Sequence, residues 1–138
     1  MSVRFLASPL ISQLLALRLP PDDYAIFGSG PMLAHGLKMD VGDLDLVARG
    51  AAWAAAVQLG EPAPAPSGSG LMVELDGGSL QIFSAWTSAD WDVDRLIDDA
   101  EVIGGIRFVP LPLVLAWKRQ SGRPKDVADI RLLEAYLE

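Results

Sequence analysis

The sequence predicts an α+β fold, close to the α/β class, with a small mixed β-sheet flanked by helices. Three observations carry this prediction. Short apolar runs alternate with segments of helical periodicity along the chain, which is typical of helices and strands interleaved around one sheet. Residues 71–83 have the pattern of a β-hairpin, with Asp76-Gly77-Gly78 at its turn. The length of 138 residues is that of one domain, so residues 1–138 are interpreted as a single domain.

The first half of the chain supplies strands and helices in alternation. Ser8 and Pro9 have the pattern of a helix start, and the pair Pro20-Pro21 is expected to end that helix. The elements that follow are a strand at 24–27, a helix at 31–37, a strand that includes 43–47, and a helix at 51–59 ended by Gly60. Residues 61–70, rich in proline, glycine and serine, are predicted to form a surface loop.

The second half continues the alternation after the hairpin. Thr87 or Ser88 is expected to cap an acidic helix that runs through Asp99. A second small hairpin is predicted at 102–109 and a helix at 112–121. A last helix starts at Pro124, and its predicted buried stripe is Val127, Ile130, Leu133, Tyr136 and Leu137.

Composition narrows the class of protein. Hydrophobic residues make up 51% of the chain, which favours a packed core over a disordered chain. The formal charge of −7 argues against broad, non-specific binding to nucleic acid. The chain has no cysteine, which excludes disulfides and thiolate metal sites. The sequence has no evident signal peptide and no apolar segment near the ~20 residues that span a bilayer, so we expect a cytoplasmic protein without membrane contact.

The most informative stretch runs from residue 24 to residue 47. An apolar run ends in Gly28-Ser29-Gly30, and a second apolar run carries Asp43 and Asp45. Side chains two apart in a strand point to one face, so these carboxylates are expected to project together and suit Mg²⁺. The glycines would let backbone N–H groups approach a phosphate, and a helix starting at Pro31 would direct its positive end there.

This pairing of motifs resembles the nucleotidyltransferase superfamily. A Gly-Ser turn is followed, after thirteen intervening residues, by Asp43-Leu44-Asp45. The resemblance implies that Gly28, Ser29 and Gly30 hold nucleotide phosphates, and that Asp43 and Asp45 hold Mg²⁺ or Mn²⁺. Taken separately, each motif also has an ordinary structural interpretation, as a turn and as a solvated strand edge.

A second resemblance lies near the C-terminus. Lys118 and the segment Arg123-Pro-Lys125-Asp126-Val-Ala-Asp129 are similar to the helical end of minimal and AbiEii-like toxin nucleotidyltransferases. The resemblance implies that Lys118 neutralises phosphate and stabilises pyrophosphate charge, with Arg123 and Lys125 in the same pocket. Asp126 and Asp129 are expected to bridge to the preceding helix or to cap the new one.

The sequence departs from the family at the third carboxylate. The matching position on the strand at 79–83 is Gln81, which cannot act as a general base. Three alternatives remain open: Glu74 or Asp76 substitutes for the missing acid, a slower one-metal reaction remains, or catalysis is lost.

The functional prediction is therefore a Mg²⁺-dependent protein that binds a nucleoside triphosphate and transfers its nucleoside monophosphate to a hydroxyl of a protein, an RNA or a small molecule. The alternative is a catalytically lapsed relative that serves as a nucleotide-binding or protein-interaction module with a partner protein, in a toxin–antitoxin setting. A structural protein without a nucleotide site is the third interpretation.

Overall fold

The fold is a mixed seven-stranded β-sheet covered by α-helices, in a computed structural model that describes residues 4–138. The predicted α+β class is confirmed. Among the described residues, the strands are β1 (Tyr24–Phe27), β2 (Leu44–Ala48), β3 (Ala63–Pro64), β4 (Leu71–Leu75), β5 (Leu80–Phe83), β6 (Glu101–Ile103) and β7 (Ile106–Phe108). The α-helices are α1 (Pro9–Ala16), α2 (Gly30–Ala34), α3 (Gly50–Leu59), α4 (Val93–Asp98), α5 (Leu111–Ser121) and α6 (Val127–Leu137).

The order of strands across the sheet is β3-β4-β5-β2-β1-β7-β6. The central pair β1–β2 is antiparallel, while β2–β5 and β1–β7 are parallel. Both predicted hairpins, β4–β5 and β6–β7, are present. The two motif strands therefore lie side by side at the middle of the sheet, where helices can cover both of its faces.

Two apolar clusters fill the two faces of the sheet. Leu44 and Leu46 belong to the cluster that α1 and α3 cover, as their position opposite Asp45 predicts. Phe27 and Val47 belong to the other cluster, under α4, α5 and α6. Asp45 therefore lies on the face that the C-terminal helices cover.

Several predicted element boundaries are corrected by the structure. Helix α1 ends at Ala16, before the proline pair, and α2 spans only five residues. Gly60 has an extended φ of −159°, so it is not a left-handed cap; a Cβ there would come within 2.9 Å of Val73 Cγ1. Helix α4 is capped by Asp92, whose Oδ1 accepts from the Asp94 N–H at 3.0 Å.

The predicted buried stripe of α6 is shifted. Val127, Tyr136 and Leu137 are exposed, whereas Leu133 is buried and Ile130 is partly buried. The buried face instead combines these two residues with Asp126 and Asp129, spaced i, i+3, i+4 and i+7. The two aspartates can be buried because a lysine of α5 neutralises them, as described below.

No helix within residues 4–138 has both the length and the apolar character needed to span a membrane.

Candidate functional site

The Gly-Ser turn and the first part of β2 meet at the end of β1. Phe27, the last residue of β1, pairs with Asp45 across the antiparallel ladder. Gly28 follows with φ +62°, a conformation that favours glycine, and a Cβ on it would lie 2.8 Å from Asp45 Oδ2. Glycine at position 28 therefore gives the chain its turn and leaves room for the carboxylate.

A polar cavity of about 270 Å³ opens at this point. It brings together residues from the turn, from β2 and β5, and from α5 and the segment that leads into α6. Its carboxylates are Asp43, Asp45, Asp126 and Asp129; its cations are Lys38, Lys118, Arg123 and Lys125; Gly28, Ser29, Gln81 and Trp117 complete the lining. The cavity thus joins the two sequence motifs, which lie far apart in the chain.

The two motif aspartates differ in their environment. Asp43 is exposed and directly precedes β2, whereas Asp45 lies within the strand and is partly buried. Burial, together with the negative charge of Asp43, raises the pKa of Asp45 to about 7, against the opposing effect of Arg123, Lys125 and Lys118. Asp45 Oδ1 is buried and has no hydrogen-bond partner within the described part of the chain. This carboxyl group therefore has an unused acceptor and a poorly solvated charge.

Lys118 is the centre of a buried ionic network. Its side chain is 1% exposed, and its Nζ lies 3.2 Å from both Asp126 Oδ1 and Asp129 Oδ2. Nζ also donates to Ser29 Oγ at 3.1 Å, while Ser29 Oγ donates to Asp129 Oδ2 at 3.3 Å. The predicted bridge from both aspartates to the preceding helix is thus present. The network fixes the Ser29 hydroxyl at the cavity wall, and two carboxylates offset the Lys118 charge.

The pKa values of the two network aspartates show which effect dominates. Burial pushes the pKa of each upward, but their basic partners outweigh it. For Asp126 these partners are Arg123 and Lys118; for Asp129 they are Lys38 and Lys118. Both pKa values are lowered, so both carboxylates are ionised at neutral pH.

Arg123 and Lys125 lie at the more open side of the cavity. Arg123 Nε donates to Asp126 Oδ2 at 2.7 Å, and its guanidinium group lies 4.7 Å from the centre of the Trp117 ring. Lys125 is exposed and forms no ion pair within residues 4–138. Lys125 is therefore the cation of the cavity most available to an incoming anion.

The third-acid position is occupied by a neutral side chain. Gln81 lines the cavity and is the register partner of Asp45 on one side and of Glu74 on the other. Its Nε2 donates to Glu74 Oε2 at 2.9 Å. Glu74 and Asp76 are exposed and do not line the cavity. The Glu74 carboxylate therefore lies one strand away from the cavity, on β4, where it accepts a hydrogen bond from Gln81.

Two further observations modify the predicted site. Gly30 is buried beside Ile26, since a Cβ would come within 2.3 Å of Ile26 Cγ2, and it does not line the cavity. Lys38 does line it, with Nζ 3.1 Å from Asp129 Oδ1. Sequence reasoning missed Lys38, because a single lysine in the spacer between two motifs carries no pattern of its own.

The donor set suits a cation that is shared with a ligand. No group of three or more His, Cys, Asp or Glu side chains within residues 4–138 is placed to hold a metal ion. Mg²⁺ is often held by one or two carboxylates together with substrate phosphates, and it keeps several waters. Asp43 and Asp45, with the unpartnered Oδ1, fit that pattern.

Comparison of the chain with protein families, with curated proteins and with solved structures finds no match in any of the three.

Proposed function

We propose that the protein binds a nucleoside triphosphate together with Mg²⁺ or Mn²⁺ and transfers the nucleoside monophosphate to a hydroxyl acceptor. The observation that carries the proposal is the polar cavity itself. Within it, a strand end with two carboxylates faces a cationic helical hairpin across a Gly-Ser turn. Carboxylates suit a hard cation, and lysine and arginine suit phosphate oxygens, so one ligand that carries both groups satisfies both sides.

Each side chain has a defined task in this proposal. Asp43 and Asp45 would hold the cation, which when bound neutralises phosphate charge and polarises a phosphoryl oxygen. Backbone N–H groups of the Gly28-Ser29 turn would bind phosphate oxygens. The Ser29 hydroxyl, whose oxygen accepts from Lys118 at 3.1 Å, would join them by turning its O–H from Asp129 toward a phosphate oxygen. Arg123 and Lys125 would supply the charge that pairs with the phosphates, while Lys118, whose charge two carboxylates offset, would keep the Ser29 oxygen in place.

The acceptor is a protein, an RNA or a small molecule. A nucleoside triphosphate substrate accords with the cytoplasmic location that the sequence predicts.

The first experiment separates binding from chemistry. Binding is measured by calorimetry with Mg²⁺ and each of the four nucleoside triphosphates, for the wild type and for Asp43→Asn. Asp40→Asn is the matched control, because Asp40 is exposed in the same spacer and does not line the cavity. We expect the cavity variant alone to lose metal-dependent binding. Equal binding by all three proteins would refute the metal assignment.

Transfer is then followed with triphosphates labelled at the α or at the γ phosphate. Nucleotidyl transfer moves the α label to the acceptor and releases the γ label as pyrophosphate. The acceptors offered are the protein itself, total RNA and a set of small hydroxyl compounds.

A second candidate is a nucleotide-binding module without transfer activity, working with a partner protein as in toxin–antitoxin systems. It is favoured by Gln81, which lines the cavity where a general base would be needed. Binding without movement of the α label would support the module, and absence of any nucleotide binding would overturn both candidates.

The variants Gln81→Asp and Gln81→Glu test the difference. General-base help is typically worth ~10²–10⁴-fold, so a restored carboxylate should raise a slow transfer rate strongly. If the wild type is already fast and Glu74→Gln abolishes its activity, the acid is supplied by the neighbouring strand. Fast transfer that is insensitive to Gln81, Glu74 and Asp76 would show that the acid comes from outside this strand pair.

A further inference from the structure

A second cavity of about 180 Å³ adjoins the polar one, and we call it the aromatic chamber. Its lining includes the rings of Phe83, Trp86 and Trp117, together with Met72, Pro66, Ser67 and Thr87. The two cavities also have Asp45, Gln81, Trp117 and Arg123 in common. A molecule bound at the carboxylates can therefore extend into the chamber without leaving the site.

The walls of the chamber are mostly apolar, and their rings contact one another. The rings of Phe83 and Trp86 lie 5.4 Å apart, and those of Trp86 and Trp117 lie 5.0 Å apart, both edge to face. Trp117 is held by its Nε1, which donates to Thr87 Oγ1 at 3.2 Å. These aromatic contacts and this hydrogen bond preform the chamber, which is the usual condition of a ligand pocket.

One wall residue has an unused donor. Trp86 is 2% exposed, and its indole N–H has no hydrogen-bond partner within residues 4–138. Buried polar groups are nearly always paired with protein or with a ligand or water. Because this N–H is closed off from solvent, the wall offers a ligand the surfaces of its rings, which suit a flat apolar group.

We propose that the aromatic chamber is a nucleobase subsite, which receives the base of the triphosphate whose phosphates lie in the polar cavity. This inference rests on the proposed function. Small-molecule pockets typically measure ~300–1,000 Å³, a size that neither cavity reaches alone and that the two reach together. Aromatic side chains bind bases of any sequence through their faces, which suits a chamber with few polar groups.

Arg123 marks the junction between the two parts. Its guanidinium covers the Trp117 ring at 4.7 Å while its Nε is held by Asp126 at 2.7 Å. The phosphates of a bound nucleotide would thus contact a cation, and its base would contact the rings of the aromatic chamber. This order of cation and rings along the two cavities matches the order of phosphates and base in a nucleotide. Specificity for a nucleotide over plain polyphosphate would arise on the chamber side.

The test compares nucleoside triphosphates with inorganic tripolyphosphate, both with Mg²⁺, by calorimetry. Ser67→Trp places a bulky ring at the exposed rim of the chamber, and Phe83→Leu keeps apolar volume but removes a ring. Glu61→Trp is the matched control, because Glu61 is exposed on the other side of β3 and does not line the chamber. Circular dichroism verifies that each variant is folded.

We expect the wild type to bind nucleotides about 5- to 150-fold more tightly than tripolyphosphate, the range that one stacked base produces. Ser67→Trp and Phe83→Leu should reduce this ratio at least about fivefold and leave the binding of tripolyphosphate unchanged. Glu61→Trp should keep the ratio of the wild type.

Three results would overturn the subsite. If nucleotides bind no better than tripolyphosphate, the base lies outside the chamber, and the proposed function still stands. The same conclusion follows if both folded variants bind nucleotides as the wild type does, or if they weaken only the binding of an acceptor oligonucleotide. If neither nucleotide nor tripolyphosphate binds, the proposed function itself fails.

Discussion

Replacing Asp45 with asparagine should stabilise the metal-free protein by an amount that grows as the pH rises from about 4 to above 7. In the folded chain Asp45 has a pKa of about 7, whereas an unfolded aspartate has a pKa near 3.8. Between these values the folded protein holds a proton that the unfolded chain has released. The free energy of unfolding therefore falls as the pH rises through this window, and stays lower above it.

The size of the effect follows from the pKa difference. Roughly three units at ~1.4 kcal/mol each give a penalty of ~4 kcal/mol, fully present above pH 7 and absent below about pH 4. Asparagine has nearly the same shape and no charge, so Asp45→Asn removes the penalty. A domain of this size is typically stable by ~5–15 kcal/mol, so the gain is easily measured.

The assay is urea unfolding followed by tryptophan fluorescence, in EDTA, at several pH values from 4 to 8.5. The difference between variant and wild type should be near zero at pH 4 and should grow to its full value by pH 8. Asp40→Asn, in exposed surroundings, should show no such trend. A difference that does not vary with pH, or a variant that is less stable at pH 8, would refute the buried-charge reasoning.

Three further predictions address the rest of the site. Mg²⁺ or Mn²⁺ should raise the melting temperature of the wild type, because a ligand that binds only the folded state stabilises it by mass action. The metal should have no such effect after the double change Asp43→Asn, Asp45→Asn. If the metal still raises the melting temperature of that variant, the cation binds elsewhere. Gly28→Ala should destabilise the protein far more than Gly36→Ala. Both glycines have a positive φ, but only at Gly28 would a Cβ collide with another atom, Asp45 Oδ2. The melting temperatures of the two variants measure this difference. Lys118→Met should lower the free energy of unfolding in urea by ~1.5–3 kcal/mol, since it removes the lysine shared by two buried carboxylates, each of which keeps one other basic partner. A loss below about 1 kcal/mol would show that the network is not structural.

The central strands could be predicted from the sequence because their signals are local. The apolar run of β1 ends in glycine and the alternation in β2 places leucine and aspartate on opposite faces, so both the strand limits and the burial of Leu44 and Leu46 follow from residue type. The hairpins are fixed by their glycine turns in the same way.

The buried faces of the C-terminal helices were harder to predict from the sequence, because burial there depends on partners distant in sequence. Aspartate is normally a surface residue, so hydrophobic periodicity alone assigned the buried face of α6 to Val127 and Leu137. The actual face includes Asp126 and Asp129, which Lys118 makes tolerable. The sequence suggested this bridge, but it did not indicate that the bridge would decide which face of α6 is buried.

The convergence of tryptophans could not be predicted at all. Trp86 and Trp117 come from a loop and a helix separated by more than one element, and neither position has a motif. Only the fold shows that they meet beside Asp45 and Gln81.

The hydrogen bond between Ser29 and Asp129 joins residues 100 positions apart. Closing so long a loop is slow in comparison with forming the local hairpins β4–β5 and β6–β7, whose contacts lie within a few residues. During synthesis, α6 also leaves the ribosome after the sheet and after α5. The sheet can thus begin to assemble before the site exists, and a nascent chain should gain its ligand affinity only when α6 has been made.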